Sequence, residues 1–262
     1  QFGWSPTVLA VDPQYVGTDT DPLLMKTLPQ QLRVTRVASL SSSLTRKVGL
    51  GDLAIRSFPF VWSAGTRILE ETRHDLVYFS TTAFPIMPLG RIWKRSHRVP
   101  FVIDLQDPWH SDYYEARPTA PRPPKYWFSY RLHRRLEPWT MAKADGLIAT
   151  SAGYLATLDQ RYPWLADKPH AVLPFGASNV DFDVLHEHPQ PNRFFAPGDG
   201  MIHGVYVGRA GADMQPALQT IFRALRTGLQ QNPSLFGRVR LHFIGTDYAP
   251  GQNGKQTVAP VA

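Results

Sequence analysis

"RVPFVIDLQDPWHSDYY", residues 98–114, carries the first decision about the fold. From Val99 to Leu105 it is an apolar run interrupted by Asp104, without the strict alternation of a half-exposed strand. A run of this kind and length predicts a strand covered on both faces. The run breaks at once into Gln106, Asp107, Pro108, Trp109 and His110. An amide, a carboxylate, an indole and an imidazole at the end of a core strand fit either of two descriptions. One is an ordinary turn, because Asp-Pro is common turn chemistry. The other is the ligand edge of a parallel sheet.

Working outward, short apolar blocks recur at "TVLAV" (7–11), "LVYF" (76–79), "FVIDL" (101–105), "GLIAT" (146–150) and "HAVLP" (170–174), and again at "HGVYV" (203–207) and "VRLHFI" (239–244). Amphipathic stretches of helical length separate them, at 60–73, 85–96, 125–143, 152–161 and 216–230. Strand, helix and strand in repetition predict an α/β fold with parallel, doubly wound sheets. Residues 176–200 are dense in Pro, Gly, Asn and Asp and lack a helical period. They are expected to be a linker, dividing the chain into residues 1–178 and 179–262. Two strands and one helix are too few to cover both faces of the second sheet, so that unit is expected to be incomplete.

The chain has 262 residues, 43% hydrophobic and 19% charged, a globular composition. Its longest apolar runs fall far short of a membrane span, and no charged-then-apolar leader opens it. With no cysteine, disulfides, thiolate metal sites and cysteine nucleophiles are excluded. A net charge of +7 and a pI near 9.7 favour anionic partners. No nucleic-acid motif accompanies that charge, so a nucleic-acid partner is not expected.

Among the motifs, "VYVGRAGADMQPAL" (205–218) reads as strand, glycine-spaced loop and helix. That geometry aims backbone N–H groups and a helix N-terminus at an anion. Gly208 and Gly211 permit close approach, Arg209 adds a cation and Pro216 suits a first helical turn. The spacing is neither the dinucleotide fingerprint nor a P-loop, and a tight turn capped by Asp213 fits the same residues. "ADGLIATSAGYLATL" (144–158) ends a strand at Thr150 and Ser151, where Ser151 is either a ligand contact or an ordinary N-cap. "STTAFP" (80–85) follows its strand in the same way. "KYWFSYRLHRRLEPW" (125–139) sets Phe128, Leu132 and Leu136 on one helical stripe, with Arg131, Arg134 and Arg135 beside Trp127, Tyr130 and Trp139. With "GRIWKRSHR" (90–98) it forms either a solvated basic face or a surface for anionic lipid. His186 and His188 lack a third ligand at fixed spacing, so no metal site is expected.

In order and spacing, these segments resemble a nucleotide-sugar-dependent glycosyltransferase of the GT-B type, in the large retaining group sometimes labelled group 1. "FGWSPTVLAVDP" (2–13) is similar to the second strand of the acceptor domain, and "DLQDPW" (104–109) to the strand-end motif in which His or Arg precedes Asp. Glu137 followed by "ADGLIATS" (144–151) matches a Glu, an Ala-Asp pair and a strand ending in Ser. "VLPFGASNVDF" (172–182) resembles the linker, "YVGRAGAD" (206–213) the opening of the donor domain and "LHFIGTDYAP" (241–250) its second strand.

The resemblance implies two Rossmann-like domains facing a cleft and transfer of a sugar, with retention, from a nucleotide sugar to a saccharide or lipid-linked acceptor. It implies no cofactor and no metal. On that basis Asp107 is the expected catalytic residue, orienting or deprotonating the acceptor hydroxyl. Gln106, Trp109, His110 and Ser151 are expected acceptor contacts, and Gly208, Arg209 and Gly211 are expected to bind the donor diphosphate. The expected setting is cytoplasmic, peripheral at the inner face of an anionic membrane.

Three departures stand out. Gln106 replaces the usual His or Arg, a lysine is missing after Arg209, and the sequence stops before the family's paired-glutamate motif. The chain as given is therefore expected to be inactive by itself. The alternative is a non-catalytic module of the same fold that binds a phosphate-bearing ligand or a membrane surface.

Overall fold

A computed structural model of the chain describes residues 3–16, 21–47, 51–119, 122, 126–208, 214–245 and 258. It divides into two compact units. The first runs to Asn179, apart from the segment 17–24, and the second takes the chain from Val180.

In the first unit, β1 (Thr7–Val11) pairs in parallel with β2 (Arg33–Val37), Thr7 opposite Arg33. A second, four-stranded sheet holds β3 (Val77–Ser80), β4 (Phe101–Leu105), β5 (Gly146–Ala149) and β6 (His170–Val172), parallel and in chain order. The helices between strands are α3 (Leu53–Glu71), α4 (Pro88–His97), α5 (Tyr126–Met141) and α6 (Ala152–Arg161). The short helix α2 (Ser42–Lys47) precedes them, and α1 (Pro22–Lys26) begins in the segment 17–24 that groups with the second unit. The parallel α/β architecture read from the non-alternating apolar runs is the architecture found. The core gathers around Phe101, Ile103 and Leu105 of β4, all fully buried, with Met87 and Leu89 from the start of α4. Trp93 stacks on Phe79 at 6.3 Å, and its indole N–H donates to the Thr66 hydroxyl at 3.0 Å.

Two glycines make this packing possible. A Cβ on Gly65 would lie 2.4 Å from the Trp93 ring, and one on Gly90 would lie 2.5 Å from Phe101. Helix α3 begins earlier than its amphipathic period suggests. Asp52 caps it by accepting from Ile55 N at 3.2 Å, and Pro59 lies inside the helix. Arg98 ends α4 in the left-handed region, with φ 58°.

The second unit contains α7 (Asn179–Glu187), β7 (Ile202–Val207), α8 (Gln215–Gln231), α9 (Pro233–Phe236) and β8 (Val239–Ile244). β7 and β8 are parallel, Ile202 opposite Val239. Helix α7 corrects the expectation that 176–200 is without helix. Within the Pro- and Gly-rich stretch, "NVDFDVLHE" is free of both, places Val180 and Val184 four apart and buries Val184. Val205 and Val207 of β7 remain exposed.

Candidate active site

The carboxyl ends of β3, β4 and β5 form a braced edge. Register sets Ser80 opposite Asp104. The Asp104 carboxylate, 9% exposed, accepts from the Tyr78 hydroxyl at 2.9 Å and the Ser80 hydroxyl at 3.1 Å. Burial, reinforced by that carboxylate, pushes the Tyr78 phenol up to about 12, so it remains a donor at any ordinary pH. Gln106 joins the network. Its side-chain amide donates to Ser80 Oγ at 2.8 Å, and its main-chain carbonyl accepts from the Thr150 hydroxyl at 3.4 Å. The polar residue that interrupts the apolar strand is thus a buried brace that fixes the direction in which β4 leaves the sheet.

Two residues later the chain is anchored again. Trp109 is 4% exposed and stacks on Phe84 at 5.6 Å. Its main-chain N–H donates to the Tyr154 hydroxyl at 2.8 Å, and its indole N–H donates to His133 Nδ1 at 2.9 Å. Between these two anchors Asp107 and Pro108 stand exposed. The Asp107 side chain makes no hydrogen bond or ion pair among the described residues. A carboxylate fixed at both flanks and free at its head can accept a hydrogen bond, or a proton, from a hydroxyl brought to it.

His110 is buried, and neither ring nitrogen has a hydrogen bond among the described residues. Burial holds its pKa below the usual imidazole value, partly opposed by Asp112 3.6 Å away. Arg161, at the end of α6, ties the segment down. One guanidinium nitrogen donates to the His110 carbonyl at 3.0 Å and to Glu137 Oε1 at 3.1 Å, and the other reaches Asp112 at 3.3 Å. Glu137 has no exposed surface. Burial pushes its carboxyl above the usual range, and the guanidinium works against that shift. Burial also opposes the Arg161 charge, yet Glu137 and Asp112 together raise its pKa. The Tyr162 hydroxyl faces the same carboxylate, whose Oε2 lacks a hydrogen bond of standard geometry.

The structure brings Gln106, Asp107, Trp109 and His110 together at one strand end. Gln106 spends its amide on Ser80, and Trp109 spends both N–H groups on Tyr154 and His133. Ser151 occupies the N-cap position of α6 with extended backbone. Its exposed hydroxyl makes no capping bond, and its carbonyl accepts from Tyr154 N and Leu155 N. Arg161, Tyr78 and His133 were not singled out from the sequence; their partners lie 24 residues or more away along the chain. Arg56 is a further buried cation, donating to Leu40 O at 2.6 Å and Tyr15 O at 3.3 Å, the loops that follow β2 and β1.

In the second unit Gly208 follows β7 with φ 155°, and its N–H donates to the Ile244 carbonyl at 3.1 Å. A Cβ there would meet the Tyr206 hydroxyl at 3.0 Å. Pro216 lies in the first turn of α8. Arg209, Gly211 and Asp213 lie outside the described residues. Among the described residues no three His, Cys, Asp or Glu side chains are grouped as a metal would require. No described helix is long and apolar enough to cross a membrane.

The chain matches the glycosyl transferase 4-like domain over residues 1–176. No curated protein matches the chain. The match spans β1 to β6 and takes in the braced strand end, Asp107, the Glu137–Arg161 pair and Ser151. By that match the chain belongs to the family of the glycosyl transferase 4-like domain, a glycosyltransferase domain of GT-B type.

Proposed function

We propose that the protein transfers a sugar from a nucleotide-sugar donor to a saccharide or lipid-linked acceptor with retention at the anomeric carbon. The observation that carries this reading is Asp107, an exposed and unpartnered carboxylate clamped between Gln106 and Trp109 at the carboxyl edge of a parallel sheet. The bond from the anomeric carbon to the donor phosphate breaks, and one to the acceptor oxygen forms on the same face of the sugar ring, as retention requires. The acceptor hydroxyl gives its proton to Asp107, and the leaving diphosphate takes the bonding electrons. Arg209 is the proposed counter-charge for that diphosphate, so positioning and charge stabilisation carry the chemistry without a metal.

An anionic membrane surface is the second partner in this reading. Arg131, Arg134 and Arg135 of α5 are exposed and make no ion pair among the described residues. The same helix exposes Trp127, Phe128 and Trp139. Phe128 and Leu132 also line an apolar groove of about 360 Å³ with Ile55, Phe58 and Pro85. The 90–98 segment adds less charge than its composition suggests. Arg91 lies 4.2 Å over the Trp139 ring, and Lys94 pairs with Asp145 at 2.6 Å. A cytoplasmic, membrane-peripheral setting follows from this reading.

The test is calorimetry of nucleoside diphosphates on the intact natural protein. Arg209→Ala should weaken the best-bound one by about 1.5–3 kcal/mol, the range for a charge-assisted hydrogen bond. Unchanged affinity would leave the loop an ordinary turn. A binding module without catalysis is favoured by one observation, the Gln106 amide committed to Ser80 where the family places a cation. That alternative predicts diphosphate binding without turnover.

A further inference from the structure

Three rings interlock behind the segment that carries Asp107. Phe84, in the 3-10 turn ahead of α4, lies parallel to the Trp109 indole at 5.6 Å and edge-on to the His133 imidazole at 6.4 Å. The third contact is polar: Trp109 Nε1–H donates to His133 Nδ1 at 2.9 Å, across 24 residues of chain. The indole is buried, so its N–H depends on this one acceptor.

Chemistry fixes the state of the imidazole. An indole N–H can only donate, so Nδ1 offers its lone pair and Nε2 carries the proton. The ring has one further place for a proton, Nδ1 itself. A proton there would set two donors face to face at 2.9 Å, and the contact would have to open. Burial holds the His133 pKa below the usual imidazole value, which preserves the accepting form at neutral pH. The groups around the ring do little to change this. Asp52, the cap of α3, favours the proton, yet it is exposed and already accepts from Ile55 N. His110, whose pKa is also lowered, would repel a second positive ring. Arg134, the next residue of α5, is exposed. Tyr113, Tyr114, Tyr126 and Tyr130, which line one pocket with His133, carry no charge in acid.

An amide or a hydroxyl could accept the same bond, and neither would lose it in weak acid. Imidazole is the acceptor that does. We propose that neutral His133 is a positioning residue for Asp107: it holds the Trp109 indole, and through it the exit of β4, until protonation releases the hold. The ties left downstream of Asp107 would then be the Tyr154 hydroxyl, on the Trp109 main chain, and the Phe84 stack. That the released state transfers sugar poorly rests on the transferase reading above; the bond and its proton dependence do not.

The test follows one proton by two readouts, on the intact natural protein labelled with 15N-tryptophan. The indole N–H resonance that Trp109→Phe removes should be protected from exchange at neutral pH. It should shift and lose that protection as pH falls below about 6.5, and kcat for nucleotide-sugar turnover should fall over the same range. His133→Asn puts an amide oxygen close to the place of Nδ1 and cannot take the proton. In that variant the indole resonance should stay fixed through the titration. Its acid limb of kcat, each protein referred to its own maximum, should move to lower pH. An indole resonance unchanged by acid in the unaltered protein overturns the proposal, and so does a His133→Asn profile that matches the unaltered one in either readout. Where the protein shows the indole titration but no turnover, the proton-dependent bond stands and only the transferase reading fails.

Discussion

Arg161→Met removes the cation that joins the end of α6 to α5 and to the segment after β4. Its carboxylate partner, Glu137, is fully buried, with Oε1 3.1 Å from the guanidinium. Breaking a buried pair from one side costs about 3–5 kcal/mol, because the remaining charge stays buried without its counter-ion. The Arg161 side chain keeps 21% of its surface exposed, so solvent reaches part of the site and the lower end, about 3 kcal/mol, applies. The lost bond to the His110 carbonyl adds about 1 kcal/mol. Against a typical stability of about 5–15 kcal/mol, denaturant unfolding should show a large drop in midpoint with little change in slope.

The loss should depend on pH with a definite sign. Burial raises the Glu137 pKa above its unfolded value, and loss of Arg161 raises it further. The penalty is therefore absent below the unfolded carboxyl range and grows as pH rises through the folded value. Arg161→Met should look mildest in acid and worst at neutral pH. Adding Glu137→Met should recover most of the loss, because an apolar pair of similar volume leaves no stranded charge. A deficit under about 1 kcal/mol, or a double variant no better than the single one, would refute the role given to this pair.

Three further outcomes follow. Gly90→Ala should destabilise by about 1–3 kcal/mol in thermal unfolding, because overpacking against Phe101 and Phe79 outweighs the helix preference for Ala; a stabilised variant would contradict the close packing. His110 and His133 both have lowered pKa values through burial, so unfolding takes up protons that the folded state does not. Stability should fall as pH drops below about 6.5, and His110→Gln with His133→Gln should flatten that limb; an unchanged slope would count against it. Replacing Arg131, Arg134 and Arg135 with Gln should remove salt-sensitive binding to anionic vesicles, and equal binding to neutral vesicles would exclude the charged face as its cause.

The elements legible from sequence were those whose signal is local. β1, β4 and β8 are short segments rich in Val, Ile, Leu and Phe, and their ends fall where those segments end. β2 was missed because "RVTRV" spans five residues, carries two arginines and buries only Val37. Pro59 masked the first turns of α3, although the pattern of Asp52 ahead of Leu53 is an N-cap signature. The prolines and glycines around α7 hid a helix that itself contains neither.

The site divided in the same way. The position of Asp107 after a buried strand could be read directly. That Asp104 braces it could not, because Ser80 and Tyr78 reach Asp104 only through strand register. Arg161 and Glu137 are 24 residues apart on different helices. The His133 tautomer likewise depends on an indole from another element.

The central claim is that Asp107 takes the proton of an acceptor hydroxyl during sugar transfer. It is tested most directly by turnover of nucleotide sugars by the intact natural protein and by its Asp107→Asn variant, read as acceptor-dependent release of nucleoside diphosphate. The account predicts that Asp107→Asn lowers kcat about 100-fold or more, the scale of a lost general base, while calorimetric affinity for the nucleoside diphosphate stays within about twofold. Asp107→Asn turning over at the unaltered protein's rate would contradict it.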